Sequence, residues 1–123
     1  MEMRDYANGA AGASALNSSG TATSSITVPS VTTASAGDVV VAFYAQRTVA
    51  DGTNADTAGF TPASGFANEV ECATPDTTSG TVNTSLGSSD KTWGVTGSTG
   101  TLTVGSTQTA TYVTAAYAVG VAP

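Results

Sequence analysis

Histidine is missing from the chain, and lysine and arginine together number only three. Without histidine there is no Ser–His or Cys–His dyad, and the commonest transition-metal ligand is gone. Three cations against nine carboxylates give a formal net charge of −6. That sign is wrong for displacing counterions from a nucleic-acid backbone or for settling on an anionic membrane. Cysteine occurs once, at Cys72, so no intrachain disulfide forms and a cysteine-stapled scaffold is excluded. A lone thiol in a strand-like run is expected to be a small buried hydrophobe. No apolar run is long enough for a membrane-spanning helix. The opening "MEMRDYANGAAGASALNSSG" lacks the apolar core of a signal peptide, so manufacture and use without export through the secretory channel are expected.

Charged residues make up only 10% of the chain, less than half the usual share. Thr, Ser, Gly, Ala and Val fill their place. Thr and Val suit a pleated surface, and Gly, Ser and Asn suit turns. With 123 residues there is room for one core. Residues 1–24 are small and polar and read as an extended N-terminal arm without an apolar stripe. From residue 25 the punctuation is regular. A strand is expected over 25–31, ended or bent by Pro29. The turn "SAGD" leads to a strand over 39–46, the most apolar in the chain. A loop over 51–59 and the turn "TPASGF" deliver Phe66 into a strand over 67–73. Short strands are expected over 82–86, 92–96 and 99–104, the last two joined by a tight Gly97-Ser98 turn. A closing strand over 109–121 alternates Val113, Ala115, Tyr117, Val119 and Val121. Seven or so strands, turn signals every 8–12 residues and no helix predict an all-β fold. The domains are then an arm over 1–24 and a single β-sandwich over 25–123, jelly-roll or immunoglobulin-like.

The run "VVVAFYA" is apolar on both faces of its strand. Val39, Val41 and Phe43 are expected to meet the opposite sheet. Val40, Ala42 and Tyr44 then need a second cover from a loop, the arm or another subunit.

Candidate chemistry is sparse. Glu69 and Glu71 share a strand face and could serve a glycosidase, but two carboxylates so spaced are also an ordinary solvent-facing pattern. Asp51, Asn54 and Asp56 form an oxygen-rich loop without the spacing of a calcium-binding hand, and turn formation explains them. Trp93 is either a sugar-stacking platform or, with Val95 as its parity partner, a core residue. Phe43, Phe60, Phe66, Tyr112 and Tyr117 read as core or seam. The glycines at 94, 97 and 100 match no phosphate-binding loop. No catalytic, metal or cofactor-binding residue is assigned, and no enzyme activity is expected.

Three stretches stand in a telling order: "ITVPSVTTASAGDVVVAFYAQ", "FTPASGFANEVE" and "KTWGVTGSTGTLTVGSTQTATYVTAAYAVGVA". They comprise a Pro-bearing strand, a Gly37-Asp38 turn into an apolar strand, and a Pro62-x-x-Gly65-Phe66 turn, followed by a glycine hairpin and an alanine-rich closing strand. Together, over about residues 25–122, they resemble the small β-sandwich modules of tailed-bacteriophage virion proteins, of the capsid decoration (cement) type. In such modules the residue after the turn glycine is usually tryptophan, and here it is Phe66. The resemblance implies a structural role on the outer capsid surface of a virion, in a protein made in the host cytoplasm. It would bind the head and stabilise contacts between major capsid protein subunits. A homo-oligomer is expected, a trimer first, with neither nucleic acid nor membrane as partner. Two alternatives stay open: a carbohydrate- or receptor-binding module using Trp93 and the 51–56 loop, and a tail, neck or fibre structural protein.

Overall fold

A computed structural model describes residues 13–50 and 57–120. Eight strands make up the described chain: β1 (Ser14–Val28), β2 (Thr32–Thr33), β3 (Val39–Val49), β4 (Phe60–Thr61), β5 (Ala67–Ala73), β6 (Val82–Thr92), β7 (Gly97–Ser98) and β8 (Leu102–Val119). The fold is all-β with two sheets and sandwich-like pairing. The larger sheet runs β1-β8-β3-β6-β5, with β4 also on β8, and the smaller pairs β2 with β7. Every pairing is antiparallel.

Two strands are too long for a flat sheet. β8 has 18 residues, about 59 Å if straight, whereas a domain of this length is only about 35 Å across. It bends together with β1. Their register slips between Ser19 and Thr23 and again between Thr23 and Ser25, and such bulges kink a ribbon. Beyond the bend the ribbon lies back over its own sheet. Asn17 Nδ2 donates to the carbonyl of Thr27, ten residues on in the same strand, at 3.1 Å. Thr114 Oγ1 donates to the same carbonyl at 2.9 Å. The folded-over layer brings Ile26, Val28 and Val104 onto Val40, Ala42, Tyr44 and Ala116, and these form the core with Phe60, Phe66 and Tyr112.

Gln46 holds the corner. It is buried, and its Nε2 donates to the carbonyls of Thr23 at 2.9 Å and Ala110 at 3.3 Å. Its Oε1 accepts from Ser106 Oγ. One amide thereby satisfies backbone oxygens that the bulges release from the ladder. Asp38 does the same for the "SAGD" turn, where Oδ2 accepts from the amides of Ala34 at 2.8 Å and Ser35 at 3.0 Å. The "TPASGF" turn closes through Phe66 N–H to Ala63 O at 2.9 Å, with Gly65 at φ 79°. It delivers a buried Phe66 into β5, whose bounds are those expected.

Several expectations change. The arm expected over 1–24 lies outside the described residues as far as 12, and from Ser14 the chain is strand, continuous through the expected boundary into Val28. Its small residues pair with the alanine-rich half of β8, so the absence of an apolar stripe did not mean the absence of a partner. Gly97 and Ser98 are not a hairpin turn. They pair with Thr33 and Thr32, and the strands expected over 99–104 and 109–121 are one bent strand. Thr33 Oγ1 binds the carbonyls of Val95 and Gly97, a long-range capture that a local turn rule does not see.

The faces of β3 are the reverse of those expected. Val40, Ala42 and Tyr44 are buried, whereas Val39 and Val41 are half-buried and Phe43 is exposed. The reason lies in the neighbours. Opposite Tyr44 stands Gly87 of β6, and beside Ala42 stand Ser89 and Ala116. These small residues leave depth for the tyrosine ring and for the layer above it.

Candidate functional site

With one face of the large sheet under the folded-over layer, the other faces outward, and among the described residues nothing covers it. The register composes it row by row. One row reads Leu16, Ala115, Phe43, Ser88, Val70 across β1, β8, β3, β6 and β5. The next, two residues along, reads Ser18, Val113, Ala45, Leu86, Cys72. Leu16 is 81% exposed, Val70 67%, Val113 57%, Leu86 48% and Phe43 45%. They surround a shallow trough of about 830 Å³ whose lining carries no charged residue. Phe43 meets Tyr117 edge to face on this surface, with ring centroids 6.1 Å apart. A contiguous apolar face of this kind on a chain with so much hydroxyl elsewhere marks a contact surface.

Charge stays off the two central rows by construction. β5 is a sheet edge, bulged between Ala67 and Val70 with Asn68 at φ 52°, a conformation asparagine tolerates better than most residues. The bulge sends its two carboxylates to the core side. Glu69 Oε1 accepts from Tyr44 OH at 2.8 Å, and Glu71 Oε1 accepts from the amide of Phe60. Glu69 and Glu71 therefore brace core groups, and each carboxylate is already engaged by a core donor. A bulge and acidic side chains also blunt the edge against pairing with another strand.

Tyr44 is 1% exposed. Its ring packs on Phe60 at 4.8 Å between centroids. Burial pushes its phenol up to about 12, and the Glu69 and Glu71 carboxylates add to the rise. The folded state thus holds this proton where the unfolded chain releases it. The contribution is complete below pH 10 and is lost as pH climbs from 10 through about 12. Denaturant titrations across that range are expected to show falling stability, and Tyr44→Phe should flatten that part of the fall while costing about 1 kcal/mol for the lost bond at neutral pH.

Cys72 is exposed, contrary to the burial expected of it. It stands beside Leu86 on the outer face, because the bulge at Asn68 sets the parity of β5. A thiol reagent is expected to label the native monomer nearly as fast as the denatured chain. Labelling slowed by orders of magnitude in dilute protein would contradict this exposure.

Of the remaining candidates, Asp51, Asn54 and Asp56 lie outside the described residues. Trp93 is half-buried and packs against the core. The Lys91 ammonium sits 4.9 Å from its ring centroid, so one ring face is already occupied by a cation. Val95, expected to share the core, is exposed, because the chain leaves β6 at Thr92 to reach the β2–β7 pair. Phe60, Phe66 and Tyr112 are buried, whereas Phe43 and Tyr117 belong to the outer face. Among the described residues no three His, Cys, Asp or Glu side chains gather in a metal-binding group. Sequence reasoning found the apolar strand but not the face it builds. That face draws residues from five strands, and only Val113, Ala115 and Tyr117 showed an alternation that pointed to it. Comparison with protein-family models, curated proteins and solved structures gives no match.

Proposed function

We infer that the protein works by contact and not by catalysis, as a decoration (cement) protein on the outer surface of a phage head, tying major capsid subunits together as a homo-oligomer. The observation that carries the reading is the apolar centre of the outer sheet face: two rows without a charged residue, a surface built for another protein surface, with the Glu69 and Glu71 carboxylates turned to the opposite side. The resemblance of its turns and closing strand to phage virion modules supplies the setting.

The pairing order supports the jelly-roll form of the sandwich. A chain of eight strands folded as one long antiparallel ribbon pairs first with last and inward from there, and wrapping the ribbon sets the eighth strand beside the third. The pairs β1–β8, β2–β7 and β3–β6 and the contact β8–β3 follow that scheme. β4 and β5 depart from it by joining β8 and β6. An immunoglobulin-like sandwich would instead pair its first two strands, which here lie in different sheets. Jelly rolls serve both viral coats and lectins, so the fold leaves that choice to the surface. The half-covered Trp93 is a poor sugar platform, and the apolar outer face is a good protein contact.

Sedimentation of the full chain with purified expanded heads tests the proposal. Saturable co-pelleting, with density on the outer capsid surface, is the expected result. Density at the tail tip, absence from virions, or binding on a glycan array without binding to heads would overturn it.

A further inference from the structure

The two central rows of the outer face form a checkerboard. Large and small side chains alternate along the first row as Leu16, Ala115, Phe43, Ser88, Val70, and along the second in the opposite phase as Ser18, Val113, Ala45, Leu86, Cys72. Consider a second copy laid face to face by a two-fold axis that crosses the strands midway between these rows. Each strand then lies over its own counterpart running the other way. Phe43 faces Ala45, Val113 faces Ala115, Leu86 faces Ser88, and Leu16 faces Ser18. Every large side chain meets a small one, which is how facing sheets interdigitate at their usual spacing of about 10 Å. An axis along the strands would set Phe43 on Phe43.

Charge selects the same axis. Among the described residues the outer face carries two charged side chains, Arg47 beyond one row and Asp90 beyond the other. Arg47 pairs in register with Thr84 and Thr111, and Asp90 with Val41. The axis across the strands brings Arg47 of each copy over the row that holds Asp90 of the other, one strand to the side. That offset of about 5 Å is within reach of an arginine. Asp90 retains acceptor capacity beyond its bond from Asn68 Nδ2 at 3.2 Å. The alternative axis sets Arg47 and Asp90 level with their own copies. For a chain of net charge −6, this axis lets two copies approach on this face with no described carboxylate opposed to its own copy.

We propose that this face is the self-association surface of the protein, closing an isologous dimer through the Phe43–Ala45 checkerboard and two reciprocal Arg47–Asp90 pairs. The proposal rests on the reading of the face as a protein contact surface, not on the identity of the head. Five strands and about seven residues of each make a rectangle of roughly 24 by 23 Å, so two copies bury on the order of 1,100 Å². That is the low end for a specific interface. The symmetry is two-fold where the sequence reading expects three-fold.

Sedimentation velocity of the full chain across a concentration series tests this, with circular dichroism to confirm that each outward-facing variant is folded. A monomer–dimer equilibrium is expected for the native chain. Ala45→Phe, which sets ring on ring, should weaken it by roughly tenfold or more, since overpacking is felt twice in a two-fold contact. Arg47→Asp and Asp90→Arg should each weaken it by about tenfold, more at low salt, and the double variant should recover to within about threefold, since each single change opposes like charges twice. A monomer at every concentration, a trimer, a dimer indifferent to Ala45→Phe, or a double variant no better than the singles would overturn the proposal. A monomer that still pellets with heads overturns self-association alone. A dimer that ignores heads overturns the head reading alone.

Discussion

Ala42→Asp is expected to unfold the protein at ordinary temperature, whereas Val41→Asp, one residue away on the same strand, leaves it folded. Ala42 is wholly buried, paired in register with Ala116 on one side and Ser89 on the other. An aspartate there adds volume to a packed layer and removes a carboxylate from water. The one polar neighbour in register is the Ser89 hydroxyl, which does not offset a charge. The carboxyl must stay ionised at several kcal/mol or take up a proton at a much raised pKa. Overpacking adds about 1–3 kcal/mol. A loss of about 5 kcal/mol is comparable to the whole stability of an ordinary domain. Val41 is half-buried on the outer face, so aspartate there costs about 1–2 kcal/mol, from strand propensity and from the like charge of Asp90 directly opposite. Thermal melts monitored by circular dichroism separate the two. A melting point for Val41→Asp below that of Ala42→Asp would mean that the faces of β3 are assigned the wrong way round, and equal melting points would mean that neither face is buried more than the other.

Gly87→Val should be nearly as damaging. A Cβ on Gly87 would lie 2.2 Å from Tyr44 Cε2 and 2.9 Å from Phe60 Cδ2, far inside contact distance. Neither ring can swing away cheaply. Tyr44 is held at its hydroxyl by Glu69 and at its face by Phe60, and both rings are buried. A glycine inside a strand marks such a close approach. The expected cost is about 3 kcal/mol or more, or a fall in melting temperature of roughly 10 °C or more for a chain of this length. Pairing a smaller change, Gly87→Ala, with Tyr44→Leu should cost less than the sum of the two single changes, because the second makes room for the first. Strict additivity would show that Gly87 is constrained by something other than the tyrosine.

These two sites also divide what is local from what is not. Strand identity was legible wherever local chemistry specified it. The apolar run at 39–45, the Asp38 turn and the "TPASGF" turn into Ala67–Ala73 rest on propensity, hydrogen-bonding side chains and glycine torsions that act within a few residues. The glycine-rich 97–100 segment failed under the same local rule, because Thr33 and Thr32 of β2 reach it from 64 and 66 residues away. Local propensity likewise has no term for the partner that makes Ser14 to Ser19 a strand. That partner is the far end of β8.

By itself, then, the sequence determined an all-β chain with one core, its principal turns, and a composition poor in the groups that acid–base and metal chemistry use. Which face of β3 turns inward only the tertiary structure decided. Alternation carries that information when one parity is polar, and in "VVVAFYA" neither is. The choice fell to residues far along the chain: Gly87, Ser89 and Ala116, small enough to admit Tyr44 and the folded-over ribbon, and Gln46, placed to bind the carbonyls where that ribbon bends. The outer face, with its alternating rows and its two outlying charges, is what that choice turned outward.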